Sequence, residues 1–374
     1  MSAVVFWCAL ALIGYAYVLY PLLVLGLARR FGHAPRHAPV TPSLTVVIAA
    51  FDESARIGAR VRDVLAQDYP RDRLQVVVVD DGSRDGTAHA AQVGDPRVRV
   101  IALPRNCGKA AALAVAIAWC DTEIIAFADA RQRFAANALR RLMEPFADPR
   151  VGAVSGDLAI EGVPGTAADI GLYWRMEKML RDNEARLGWM HGASGAIHAL
   201  RRELAVAPPP GTILDDMYLP LSVVFAGSRV AMAREAVALD CASADASEEF
   251  RRKLRTLAGN WQLIARMPRL VVPFANPVFF AWFSHKFLRL VVPWALLAMA
   301  MACALAFDRP FYRAALIVQL AGYAGAAFAL LRPRLGARVP LLRTIASFAM
   351  LNAAALLSLP ACLALDPRGL WKSH

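Results

Sequence analysis

From Ala3 to Leu27 the chain carries no charged residue. That is long enough to cross a bilayer, which takes about 20 apolar residues. Three further apolar stretches lie at the other end, Leu288 to Phe307, Ala314 to Leu331 and Ile345 to Leu365. The whole chain of 374 residues is 57% hydrophobic, above the roughly 45–50% of soluble domains. A fold for this sequence must therefore place both ends in lipid. Between them, Pro42 to Arg269 is long enough to bury a core of its own.

Charge sets the expected orientation. Arg29, Arg30 and Arg36 follow the first apolar run, the reverse of a signal peptide, so the run reads as a retained anchor. The loop "RPRLGARVPLLR" is rich in arginine and should face the cytosol, while "DRPFYR" should lie outside. Four spans follow, with both termini outside and the middle inside, in the cell (inner) membrane. The segment "VVPFANPVFFAWFSHKFLR" is interrupted by Pro273, Asn276 and Pro277 and carries Trp282, His285 and Lys286, which suits a helix lying on the membrane surface. The expected organisation is an anchor over 1–28, a cytosolic domain over 42–269, an interfacial helix over 270–287 and three spans over 288–365. The net charge of +12 suits a lipid surface rather than nucleic acid, because the arginines flank the apolar runs. The six cysteines form no CxxC pair and the seven histidines no HxxxH pattern, which points away from disulfides and zinc.

The middle alternates strand-like and helix-like runs. "LTVVIAAF", "LQVVVVDDGS", "VRVIAL" and "EIIAFADA" read as buried strands, with "SARIGARVRDVLAQ" and "KAAALAVAIAWC" as helices between them. This predicts an α/β domain with a mainly parallel sheet and helices on both faces. In such sheets ligands sit beyond the carboxyl ends of the strands. Asp80, Asp81 and Asp129 all fall there. A lone Asp at such a place usually caps a helix or turn; three together favour a site. No GxGxxG follows the first strand, and "CGKA" has Ala110 where a P-loop needs Ser or Thr.

"VVIAAFDESARI", "VVVVDDGSRDGT", "RNCGKAAAL" and "FADA", in this order and spacing, resemble the family 2 glycosyltransferases. The likeness includes membrane-embedded cellulose, hyaluronan and poly-N-acetylglucosamine synthases. The resemblance implies a GT-A-type, Rossmann-like nucleotide-sugar domain. It implies that Ala49, Ala50, Asp52 and Glu53 line the base and ribose, that Asp80 or Asp81 hydrogen-bonds the uracil or ribose, and that Lys109 lies near the diphosphate. Asp129 matches the first acid of the family's Asp-x-Asp metal motif, for Mg²⁺ or Mn²⁺. "GASGAIHALRREL", with Gly192 and Ser194, matches the acceptor-side loop. "LDDMYLPL" matches the acidic pair, with Asp216 as the base beside Asp215. Arg252 and Arg255 match a segment that covers the donor. This chain departs from the pattern at Asp52, where Asn is usual, and at Arg131, which replaces the second metal-binding acid. It departs again at Arg252 and Thr256, which replace the Gln and Trp of Gln-x-x-Arg-Trp.

The chemistry needs a carboxylate to take the acceptor's proton, fixed cations for the leaving diphosphate and exclusion of water. Asp216 suits the first role, with Asp215 raising its pKa by like-charge repulsion. As acids opening "MYLPL", the pair also suits a helix start. Arg251, Arg252, Lys253 and Arg255 also read as a basic stripe against anionic lipid. Arg131 either turns toward the donor in place of the metal's charge or turns away and leaves Asp129 with water to hold the ion. The expected function is inverting transfer of a sugar from a UDP-sugar to a glycan acceptor (a hexosyltransferase), in cell-surface polysaccharide synthesis. Transfer to a lipid-linked acceptor, and a non-catalytic sugar-nucleotide-binding subunit, are the alternatives.

Overall fold

The computed structural model describes residues 1–161, 172–241, 246–332 and 339–364. The strands are β1 (Leu44–Ala50), β2 (Leu74–Asp80), β3 (Val98–Ala102), β4 (Ile124–Asp129), β5 (Arg133–Phe134), β6 (Val151–Glu161), β7 (Ile197–Arg201) and β8 (Arg229–Cys241). The helices are α1 (Ser2–Phe31), α2 (Ser54–Leu65), α3 (Thr87–Ala90), α4 (Lys109–Trp119), α5 (Ala138–Met143) and α6 (Leu172–Leu187). After them come α7 (Asp215–Phe225), α8 (Ala246–Arg266), α9 (Phe279–Leu305), α10 (Pro310–Leu331) and α11 (Pro340–Ala364).

The strands form one eight-stranded sheet in the order β3-β2-β1-β4-β7-β6-β8-β5. β3, β2, β1 and β4 run parallel, as the alternation predicts, and β7 turns antiparallel to β4. Successive residues of a strand face opposite sides. Val46 and Ile48 pack with Ile57, Val61 and Val64 of α2 on one face. Val47, Val77 and Val79 pack with Leu113 and Ala116 of α4 on the other. Burying each such side chain is worth about 1.5–3 kcal/mol, so the unbroken "VVI" and "VVVV" runs have apolar layers to meet on both sides.

α1, α9, α10 and α11 are each long and apolar enough to cross a membrane. α1 packs along α9, and α11 packs against both α10 and α8. Near the start of α1, Phe6 meets Phe311 and Tyr312 edge-on at 5.6 and 5.3 Å between ring centroids. Toward its other end, Tyr20 and Val24 are buried against Leu180 of α6. The globular domain therefore sits at one end of the helical bundle and the connection between α9 and α10 at the other.

The expected interfacial helix over 270–287 is not a separate element. The chain makes a short 3-10 turn at Pro268–Val271, and the helix that begins at Phe279 runs on without a break to Leu305. The prolines break the chain over 272–278, where Asn276 donates to Leu270 O at 3.0 Å and its Oδ1 accepts the Val278 N–H at 3.0 Å. Beyond Pro277 nothing stops the helix, and a π turn at Phe283–Phe287 carries it forward. Most of the arginine-rich loop, 333–338, and the tail, 365–374, lie outside the described residues.

Candidate active site

The parallel register brings the strand-end acids level. Ala50 lies opposite Asp80, and Ala49 opposite Asp129. Lys109, first residue of α4, reaches across this edge. Its Nζ is 2.8 Å from Asp129 Oδ1 and 3.1 Å from Asp215 Oδ2. Burial would lower the lysine's pKa, but the Asp129 and Asp215 carboxylates outweigh it and push it up. Asp215 and Asp216 open α7, where the helix dipole favours anions. Asp216's carboxylate makes no hydrogen bond or ion pair with a described residue. Burial, then the neighbouring Asp215, push its pKa up to about 6.

The loop over 192–195 lies over this pair. Ala193 N–H donates to Asp216 O at 2.8 Å, and Ser194 N–H to Ser155 Oγ at 2.9 Å. A Cβ added at Gly195 would sit 3.3 Å from Asp216 Oδ2 and 3.8 Å from Asp129 Oδ2. The glycine leaves open the space between the two carboxylates. A Cβ on Gly192 would come within 3.2 Å of Met217 Cγ, so that glycine lets the loop close onto α7.

The two adjacent acids at the end of β2, Asp80 and Asp81, do different work. Asp81 accepts the Cys107 and Gly108 N–H groups at 2.8 and 2.7 Å, which spends both its oxygens on fixing the loop before Lys109. Asp80 accepts the Ser83 N–H at 3.0 Å through Oδ1 alone. Asp52 adopts a left-handed φ of 53°, which Asn and Asp tolerate best among residues with a side chain. Its N–H donates to Ser83 Oγ at 2.9 Å, its Oδ1 accepts Arg84 N–H at 3.1 Å, and the Glu53 N–H donates to Thr87 Oγ1 at 2.8 Å. Asp85 takes the N–H of Thr87 at 3.0 Å and that of Ser54 at 2.9 Å, joining the starts of α3 and α2.

Arg131 is committed elsewhere. Its Nε and Nη2 lie 3.2 and 2.9 Å from the two oxygens of Asp240, and Nη1 is 3.8 Å from Glu248 Oε1. The hydrogen bonds to Asp240 raise the arginine's pKa further, and they pull Asp240 below its ordinary value against the effect of burial. Asp129 keeps Oδ2 uncommitted on a side chain that is 36% exposed. One free carboxylate oxygen, with the neighbouring guanidinium neutralised, fits a hard cation that takes its remaining ligands from phosphate and water. Arg252 pairs with Glu249 on α8, and Arg255 lies one turn further along the same helix.

The structure adds contacts that sequence reasoning did not foresee. His198 stacks on Phe127 at 5.0 Å with its Nδ1 2.9 Å from Ser194 O, and burial lowers its pKa to about 4. Gln262 of α8 bridges the loop ahead of Asp215, donating to Gly211 O at 2.8 Å and accepting Ile213 N–H at 2.9 Å. At the junction with the bundle, His285 Nδ1 is 2.8 Å from Glu184 and Nε2 is 3.1 Å from Glu177. Burial would raise both acids, but Arg289 and His285 hold Glu177, and His285 holds Glu184, below the usual range. Glu184, His191 and His285 also offer ligand atoms within 4.8 Å of one another. The positive charge of Lys286 and Arg289 beside them disfavours a further cation.

The model of the family described as "Glycosyl transferase family 2" matches residues 45–206. An N-acetylglucosaminyltransferase of Mesorhizobium japonicum is 30% identical over 234 residues, covering 57% of this chain and 55% of that protein. One of Bradyrhizobium elkanii is 34% identical over 124 residues, covering 32% of this chain and 68% of that one. The chain thus spans about half the length of the Mesorhizobium relative. A mannosyltransferase from Pyrobaculum calidifontis, solved in complex with GDP-Man and Mn²⁺, is 25% identical with a TM-score of 0.73, covering 96% of this chain and 99% of that one.

Proposed function

The chain belongs to glycosyl transferase family 2, and from that premise we propose that it is a membrane-bound, inverting glycosyltransferase. It transfers a sugar from a UDP-sugar to a glycan acceptor of the cell surface, with its catalytic domain in the cytosol. N-acetylglucosamine is the first sugar to test, after the names of the curated relatives. The carrying observation is the unpaired Asp216 carboxylate facing Asp129 across the space that Gly195 leaves open. Ala50, Asp52, Glu53 and Asp80 hold the nucleoside, and Asp81 fixes the loop that presents Lys109. Asp129 would hold Mg²⁺ or Mn²⁺, whose contribution is to neutralise charge on the leaving diphosphate. Lys109 orders the three acids around it and places a fixed cation at the diphosphate end. Asp216 accepts the proton of the acceptor hydroxyl as that oxygen attacks the sugar carbon. A single base opposite the leaving group gives inversion. Arg131 acts through Asp240 and Glu248, holding the start of α8 beside the donor edge, and Arg252 and Arg255 project from that helix.

The test is turnover of labelled UDP-N-acetylglucosamine, UDP-glucose and GDP-mannose by the full chain in lipid. One UDP-sugar should be used, and Asp216→Asn should lose about 10²–10⁴-fold in rate while UDP still binds. Use of GDP-mannose alone, or near-normal turnover by the variant, defeats the reading. Organic-extractable product would select the lipid-linked acceptor over a free glycan.

A further inference from the structure

Asp129 stands where the sheet begins to release β4. On one side β1 pairs as far as Asp129, opposite Ala49. On the other side the pairing with β7 ends at Ala128, one residue short. The chain is next paired at Arg133, where β5 meets β8. Between these points Arg131 is drawn off toward Asp240. Lys109 steadies the Asp129 carboxylate through Oδ1, at 2.8 Å. The backbone that carries this carboxylate needs a support of its own.

Arg60 of α2 supplies it. Its Nε donates to Asp129 O at 3.1 Å, and its guanidinium lies over the Phe134 ring, 3.8 Å from the centroid. Its Nη1 pairs with Asp63 one turn further along α2. Asp63 in turn accepts the Phe134 N–H at 3.0 Å. Arg60 and Asp63 thus grip both ends of the segment 129–134. The Arg60 side chain is 1% exposed, and its Nη2 finds no partner among the described residues. Burying a guanidinium is costly, and an unmet N–H adds to the cost. Packing does not account for it, because an apolar side chain would cover Phe134 without either penalty. What the guanidinium adds is one rigid plane that meets a carbonyl, a carboxylate and a ring face together.

Resting on the transferase reading above, we propose that Arg60 is a positioning residue for the metal site. It acts through the Asp129 backbone on the carboxylate that would take Mg²⁺ or Mn²⁺. Two acids in the motif would share the task of placing the ion. Here Arg131 replaces the second acid and faces away, so the ion depends on Asp129 Oδ2. Any looseness in the Asp129 backbone then passes directly into metal affinity. Partners that orient a ligand from behind are commonly worth about 10–100-fold in metal affinity.

The experiment uses the full chain in detergent, with Mn²⁺ titrated calorimetrically at saturating UDP. Arg60→Lys keeps a cation beside Asp63 and Phe134 but has no second nitrogen for Asp129 O. It should bind Mn²⁺ about tenfold or more weakly, with its metal-free melting temperature close to wild type and its UDP affinity in EDTA unchanged. Asp63→Asn keeps an acceptor for the Phe134 N–H but loosens the aim of the guanidinium, so Mn²⁺ affinity should fall there as well. That variant decides the matter if the lysine variant does not fold. Wild-type Mn²⁺ affinity in the folded variants overturns the proposal. So does a lowered melting temperature with Mn²⁺ affinity kept, which would make the pair purely structural. Equal losses of Mn²⁺ affinity and of UDP affinity in EDTA also overturn it, because the effect would then not lie in the metal site. A wild type that binds no Mn²⁺ beside UDP overturns this inference and leaves the transferase reading to the turnover test. If Arg60→Lys loses Mn²⁺ affinity as expected but the wild type turns over no nucleotide sugar, the transferase reading fails alone.

Discussion

With its pKa up at about 6, Asp216 is half-protonated in mildly acidic solution. A base works only when ionised, so the rate of transfer should fall as pH drops through about 6. Stability should move the other way. An acid whose folded pKa is raised above its unfolded value of about 4 favours the folded state most at low pH, and that contribution is lost as pH rises through about 6. Asp216→Asn should therefore be inactive yet melt no lower than wild type at neutral pH, in thermal melts paired with pH–rate profiles. Arg131 yields a second expectation. Arg131→Asp should tighten Mn²⁺ binding about tenfold in calorimetry with UDP present, because it removes a cation and adds an oxygen ligand. Equal affinities would show that the position does not reach the ion. The places of Asp129, Lys109 and Asp216 at the ends of a strand and two helices were legible in the sequence because strand ends and short motifs are local. The partner of Arg131 was not: Asp240 lies 109 residues away, and only the pairing of β5 with β8 brings it near. His198 was hidden for a similar reason, since a histidine in a strand shows its stacking partner only once β7 pairs with β4.

At the scale of elements, α8 joins more parts than its basic stripe suggested. Glu248 near its start faces Arg131, Gln262 holds the loop before Asp215, and Trp261 Nε1 donates to Ser358 Oγ of α11 at 3.0 Å. Gly259 makes this fit possible, for a Cβ there would lie 2.6 Å from Leu214 Cγ. Gly259→Ala should push Leu214 and the adjoining acid pair aside, costing about 1–3 kcal/mol. Lowered turnover with UDP binding retained, measured beside a thermal melt, would bear this out; wild-type turnover would show that Leu214 yields freely. The parallel strands were legible because their apolar runs and turn residues are contiguous. The surface helix over 270–287 was misread because prolines show where a chain breaks, not on which side the next helix continues.

At the scale of the molecule, the arginine flanks and the packing agree. The end of α1 that holds Phe6 meets the connection after α9, and the opposite end meets the globular domain. A reporter placed within 308–313 should thus behave as external and one within 42–269 as cytosolic; the same side for both would refute the four-span arrangement. The number and order of apolar stretches were legible from composition alone, but their packing was not, since lipid-facing and helix-facing residues are equally apolar. The rod formed by α8 also bears on how such proteins can be recombined. A chimera cut near residue 270 would appear to exchange a catalytic unit for a membrane unit. It would in fact part Trp261 from Ser358, and force a foreign last helix against the helix that supports the loop before Asp215 and Asp216. A workable exchange keeps 209–216, 246–266 and 340–364 from one parent, so the heritable module here is discontinuous in sequence.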